Sequence, residues 1–153
     1  MEVRNYEIAD TQDIIQLFYD TVHRINIQDY NQEQVNAWAT GDQDKQQWVE
    51  RLSNSFTFVA VEQDLIIGFS NLEINGRIDC FYCHHAWQRR GVGKRILEKI
   101  ELTARELKIH RLFTEASITA KPFFASHNFI VVQQQEVERR GQKFRNFLME
   151  KLI

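Results

Sequence analysis

The stretch Gln88-Arg89-Arg90-Gly91-Val92-Gly93-Lys94 constrains this chain more than any other. It lies between an extended run, Arg77 to Cys83, and a helix-patterned run, Val92 to Leu107. A strand that stops at a basic, glycine-containing turn and restarts as a helix aims several main-chain N–H groups and a helix N-terminus at one point, which is an anion site. Gly91 and Gly93 remove Cβ atoms that would block a phosphate, and Arg89, Arg90 and Lys94 surround it with positive charge. The ligand that suits this turn is a pyrophosphate. A P-loop registered on Gly93-Lys94 would need glycine where Gln88 stands and a hydroxyl residue where Arg95 stands. A dinucleotide fingerprint needs three glycines and an acidic partner about 20 residues on, and the turn has only Gly91 and Gly93.

The chain is read as one domain over residues 1–153, long enough to bury a core. A net charge of −2 gives no global attraction for nucleic acid, and none is expected as a partner. No apolar run reaches membrane-spanning length and Met1-Glu2-Val3-Arg4 lacks a signal-peptide core, so no membrane association and a cytoplasmic location are expected. The only cysteines, in Cys80-Phe81-Tyr82-Cys83, form with His84 a nominal C-x-x-C-H pattern. On a strand, residues three apart point to opposite faces, which suits neither a disulfide nor a shared metal. The cysteines are read as half-buried strand residues, and no metal site is expected.

Val3 to Ile8 reads as a strand, followed by a helix that starts at Asp10 or Thr11 and buries Ile14, Ile15, Leu17, Phe18 and Val22. Short helices follow, one capped at Asn31 and one over Lys45 to Leu52, and they either cover an acceptor pocket or pack the core. Phe56–Val61 and Leu65–Ile74 are strands, and Asn75-Gly76 turns the second back against Arg77–Cys83. The helix after the anion turn places Val92, Ile96, Ile100, Ala104 and Leu107 on one face. Arg111–Ala116 is then a strand parallel to Arg77–Cys83, because a crossover helix joins them. A short helix over Thr119–His127 ends at Asn128 as a left-handed cap, and Phe129–Val137 with Lys143–Leu152 closes the chain as a hairpin. The order β-α-α-α-β-β-β-α-β-α-β-β is an α/β fold on a single mixed sheet.

The Q-x-x-G-x-G turn in this setting resembles the acetyl-coenzyme A loop of the GNAT superfamily of N-acetyltransferases. A second segment, Ala120-Lys121-Pro122-Phe123-Phe124-Ala125-Ser126-His127-Asn128-Phe129, is similar to the family's A-x-x-F-[YF]-x-x-x-G-F, with Asn128 in place of the glycine. The likeness covers essentially the whole chain. It implies the GNAT fold, a mostly antiparallel sheet whose one parallel strand pair splays apart, flanked by helices. It also implies acetyl-coenzyme A as acyl donor, with pantetheine inserted between the splayed strands.

By the same resemblance, the main chain of Phe81 and Cys83 pairs with pantetheine, and Gln88, Arg89, Arg90, Gly91, Val92, Gly93 and Lys94 hold the pyrophosphate. Ser117 and Ser126 either bond the coenzyme or have no such role. A main-chain N–H near Phe81 is the oxyanion donor. Family members often use a tyrosine to protonate the departing thiolate, and Phe124 occupies that position, which leaves Tyr82, water or no specific acid. Asp79 is the first choice for general base, ahead of Glu73, Glu115 and the loop histidines His84 and His85.

Two functions follow: transfer of an acetyl group to a primary amine of a small molecule or peptide by direct attack in a ternary complex, or a non-catalytic acyl-coenzyme A sensor or scaffold. The acceptor is not legible from Asp29, Asp42, Asp44 and Glu50, since scattered surface carboxylates are ordinary. Phe144, Phe147, Leu148 and Met149 either bury a homodimer interface or complete the core.

Overall fold

A computed structural model describes residues 1–153. Seven strands form one sheet: β1 (Glu2–Asn5), β2 (Phe56–Glu62), β3 (Leu65–Leu72), β4 (Arg77–Cys83), β5 (Arg111–Ser117), β6 (Ile130–Arg139) and β7 (Gln142–Leu152), in the spatial order β1-β2-β3-β4-β5-β7-β6. All neighbours run antiparallel except β4 and β5. Helices α1 (Thr11–Arg24), α2 (Gln32–Trp38) and α3 (Lys45–Ser53) cover one face, while α4 (Val92–Glu106) and α5 (Lys121–Ser126) cover the other. None of the helices is long and apolar enough to cross a membrane.

The 3.6-residue pattern of α1 buries Ile14, Ile15, Leu17, Phe18 and Val22 as expected. Its entry differs from the expectation. Strand β1 ends at Asn5, and Ile8–Asp10 curls into a short 3-10 turn instead of extending the strand. The Asp10 carboxylate accepts from Glu7 N at 2.8 Å and from both Arg4 nitrogens at 2.9 Å, so it fixes the turn and does not cap α1. Asn31 does cap α2, in a reciprocal box with Gln34.

Strand β3 stops at Leu72, not Ile74, because the chain turns at Glu73–Gly76, where Glu73 N donates to Arg77 O and Gly76 N to Glu73 O. Gly76 has φ +95°, and a Cβ there would lie 2.1 Å from Arg111 O. Gly68 similarly lets α4 approach β3, since a Cβ would meet Ile96 and Val92 at 2.8 and 2.9 Å. The apolar face of α4 is Val92, Ile96, Leu97, Ile100 and Ala104. Leu107, expected on that face, is exposed, because the helix ends at Glu106 and the chain reverses at Lys108, φ +59°. Asn128, φ +71°, is the left-handed residue expected after α5.

The C-terminal hairpin turns at Arg140 and Gly141, both with positive φ, and inserts β7 between β5 and the edge strand β6. Phe144, Phe147 and Met149 are buried within the single chain, so they complete its core.

Substituting Gly76→Ala should cost at least about 2 kcal/mol, since positive φ and a main-chain clash coincide. A urea titration showing an unchanged midpoint would contradict the role given to this turn.

Candidate active site

The parallel pair β4/β5 meets at only two register positions, Arg77 with Phe113 and Ile78 with Thr114. Thr114 Oγ1 closes the junction by donating to Ile78 O at 2.9 Å. Beyond it the strands part. Against β3, the register of β4 jumps: Leu72 faces Ile78 and Asn71 faces Cys80, so Asp79 is an extra, bulged residue. The bulge sends Ile78 into the core under α4 and Cys80 into the core under α1. Asn71, fully buried, repairs the ladder by accepting from Cys80 N at 2.9 Å and donating to Asp79 Oδ2 at 3.0 Å.

The main-chain groups of Cys80 and His84 turn toward β3: Cys80 N donates to the Asn71 side chain, Cys80 O accepts from Ser70 Oγ, and His84 N donates to Ile67 O. By alternation, those of Phe81 and Cys83 face the gap. Cys83 O already accepts from Gln88 Nε2 at 2.8 Å and Thr21 Oγ1 at 3.0 Å, which leaves its N–H for a ligand. Gln88 therefore pins the loop to the end of β4 by its side chain.

At one mouth of the gap lies the N-terminus of α4. Gly91 precedes the helix at φ +82° with no side-chain cap, and the first helical bond is Arg95 N to Gly91 O, so the N–H groups of Val92, Gly93 and Lys94 have no helical acceptor. Arg89, Arg90 and Lys94 are exposed around them, with Arg90 stacked 4.0 Å over Trp87. Within the protein itself, the two glycines answer to different constraints. A Cβ on Gly91 would meet nothing, and glycine is needed there for its φ; a Cβ on Gly93 would strike the Phe123 ring at 2.8 Å. Ser117 Oγ accepts from Ala120 N and Ser126 Oγ donates to Phe123 O, so both hydroxyls are engaged in local turns.

At the other mouth, under α1–α3, is a cavity of about 250 Å³ with Tyr30, Trp38, Trp48, Tyr82 and Phe144 in its walls. From the short helices, Trp48 and Leu52 pack the core, while Trp38, Trp48 and Arg51 line the cavity. Tyr82 lies between Phe18 and Phe69, and its Oη accepts from Trp38 Nε1 at 3.1 Å. Burial raises the Tyr82 pKa, so the phenol keeps its proton.

Residues 26–151 match the model of the acetyltransferase (GNAT) domain. The chain is 36% identical over 149 residues to YafP, an uncharacterized N-acetyltransferase of Escherichia coli K12, covering 97% of this chain and 94% of that one. The chain belongs to the GNAT acetyltransferase family. A GCN5-related N-acetyltransferase from Rhodopseudomonas palustris superposes with a TM-score of 0.95 at 28% identity, covering 99% of this chain and 95% of that one. The PaiA N-acetyltransferase of Thermoplasma acidophilum, in complex with coenzyme A, shares the fold at a TM-score of 0.80 and 18% identity, covering 99% and 98%.

Several residues of this GNAT domain sit otherwise than expected. Asp79, the first choice for base, has a side chain only 4% exposed; it takes a two-point bond from Arg51 at 2.7 and 2.8 Å and a third from Arg77 at 3.0 Å. These partners overcome the cost of its burial and hold its pKa near 2, so it has little affinity for a proton. Glu73 meets Arg77 at 3.3 Å near the β3–β4 turn, outside the cavity lining. Phe124, 1% exposed, is enclosed by Phe81, Phe123 and Phe129 in the α4-side core. Cys80 and Cys83, by contrast, are free and lie on opposite faces as expected of strand residues three apart, and burial pushes their pKa values up to about 12. Tyr30 and Asn146 were not singled out from sequence. Tyr30 Oη donates to Arg145 O at 2.6 Å and accepts from Ile118 N at 2.9 Å, tying the loop before α2 to the ends of β5 and β7.

The folded pKa of Asp79 lies below its ordinary value of 3.8, so its stabilisation is complete above that value and is lost as pH falls through about 2. Wild type should lose roughly 2 kcal/mol across this window from this one group. Asp79→Asn should be less stable at neutral pH and should lack that part of the acid slope. Identical acid-unfolding curves would show that the carboxylate does not hold the bulge.

Proposed function

We propose that this N-acetyltransferase moves the acetyl group of acetyl-coenzyme A to a primary amine of a small molecule or peptide, by direct attack within a ternary complex. The observation that carries this reading is the continuity of the gap: anion-binding amides at one mouth, unpaired strand edge along its length, and an aromatic-walled cavity at the other. The amine nitrogen bonds to the thioester carbon, the carbon–sulfur bond breaks, the ammonium proton departs and the thiolate is protonated.

The main chain of Phe81 and the N–H of Cys83 pair with the pantetheine arm, and the amides of Val92, Gly93 and Lys94 hold the pyrophosphate with help from Arg89 and Arg90. The Phe81 N–H meets the developing oxyanion. Tyr82 is assigned as proton donor to the thiolate: the residue lines the cavity, and Trp38 occupies a lone pair of Oη, not its proton. Asp79 is reassigned from base to anchor, because a carboxylate with three committed donors and a low pKa cannot relieve an ammonium of its proton. Glu115, on β5 two residues before Ser117, is the cavity carboxylate that keeps solvent access, and it accepts the proton through water.

Gly91→Glu should lower acetyl-coenzyme A affinity roughly a hundredfold, about 3 kcal/mol, by strain at positive φ and by charge repulsion. Calorimetry finding equal affinities would remove the phosphate site from α4. Glu115→Gln should lower kcat about a hundredfold with little change in the KM for acetyl-coenzyme A. Coenzyme binding without amine-dependent thiol release would favour the sensor function instead.

A further inference from the structure

The cavity under α1–α3 has a charge balance unlike that of a site built to attract a simple cation. Arg51, Arg77, Arg139 and Arg140 line it against only two carboxylates, Asp79 and Glu115. Both acids are already engaged. Asp79 is held by Arg51, Arg77 and Asn71. Glu115 faces Arg77 at 3.3 Å and accepts from Gln135 at 2.7 Å. No ion pair neutralises Arg139 or Arg140, and the one protein partner of the Arg140 guanidinium is a main-chain oxygen, Ala37 O. Two unmatched guanidiniums at an aromatic-walled cavity are receptors for an anion.

A second observation lies deeper. Asn146 is 9% exposed and lines the same cavity, and its Oδ1 is buried without a hydrogen-bond partner. A buried, orphaned amide oxygen costs about 1–3 kcal/mol, which a ligand N–H would recover. Asn146 stands opposite Ser117 on β5, beside the parted strands, whereas Arg139 stands opposite Gln142 at the far end of the hairpin. Four residues of β7 separate these levels, roughly 14 Å of strand, which the long arginine side chain shortens. Aromatic side chains lie between them: Phe144 from β7, with Trp38 edge-on and Tyr30 tilted against it.

We infer that the acceptor is an amine whose other end carries a carboxylate, with an apolar or aromatic body between the two. Asn146 Oδ1 receives an N–H of the amine at the reacting end, the aromatic walls clasp the body, and Arg139 with Arg140 binds the carboxylate at the mouth. Arg139 is thus a specificity-determining residue. It touches neither the reacting atoms nor the phosphate loop. The inference rests on the acetyl transfer proposed above only in naming which end reacts; the anion preference is a binding property and can be read without turnover.

The test uses para-(aminomethyl)benzoate, its neutral amide para-(aminomethyl)benzamide, and para-xylylenediamine. Binding of each to the full chain saturated with coenzyme A is measured by calorimetry, and thiol release from acetyl-coenzyme A is followed in parallel. The carboxylate should bind at least about tenfold tighter than the amide, and the diamine weakest, as one charge-assisted contact requires. In Arg139→Glu, an exposed hairpin position, the order should invert in favour of the diamine while acetyl-coenzyme A affinity stays the same. Asn146→Leu should weaken all three alike and leave the carboxylate preference intact. Equal binding of carboxylate and amide, tighter binding of the diamine by wild type, or a preference that survives Arg139→Glu would overturn the inference. Selective binding of the carboxylate without thiol release would uphold the anion site and count against the catalytic reading.

Discussion

The bulge at Asp79 is the constraint on which the rest of this structure depends. One residue too many in β4 increases the local twist, so that β4 and β5, paired at Arg77 and Ile78, part immediately afterwards. A bulge breaks a ladder and leaves main-chain groups unpaired, and here Asn71 supplies the missing partner to Cys80 N. Arg51 from α3 and Arg77 from β4 fasten the bulged carboxylate from two directions. A buried pair of this kind adds little net stability compared with an apolar core, yet losing one partner is expensive, so the arrangement enforces one geometry. The enforced geometry is the gap.

Because the gap runs through the sheet, it divides the chain's two cores between two tasks. The α4 face carries Gly68 and Gly93, whose missing Cβ atoms let α4 lie close on β3 and let Phe123 lie close on α4, which places the helix N-terminus at the gap. The α1–α3 face carries the aromatic cavity, roofed by short helices that Tyr30 ties back to β5 and β7. On the proposed reading, cofactor recognition uses main-chain amides and needs little side-chain identity, whereas acceptor recognition uses side chains contributed by short helices and a hairpin. Substitutions in the second group would then change the acceptor without disturbing the first.

The motif turn, the glycine hairpin and the apolar faces of α1 and α4 were legible in the sequence because each is a local pattern: positive φ at Gly91 and Gly76, and periodic burial over one or two turns. The resemblance carried by Gln88–Lys94 and Ala120–Phe129 extended this to the topology, including the parted parallel pair. What escaped is set by pairs distant in the chain. Nothing near Asp79 announces a bulge, which exists only through its register with β3, or Arg51, which lies 28 residues away. Asn146 reads as a polar residue on the wet face of a strand until the helices of the other end of the chain close over it. Gly93 reads in the sequence as a residue that leaves room for a phosphate, and nothing local announces the obstacle the fold itself supplies, the Phe123 ring from α5.

In the proposed complex the open edge of β4, beyond the bulge, takes the pantetheine arm as a strand would. Amide hydrogen exchange read residue by residue, with and without coenzyme A, tests it most directly. The account expects new protection at Phe81, Cys83 and Val92 to Lys94, with Cys80 and His84, already bonded within the protein, unchanged. Protection confined to the helix N-terminus, with Phe81 and Cys83 exchanging as before, would contradict it.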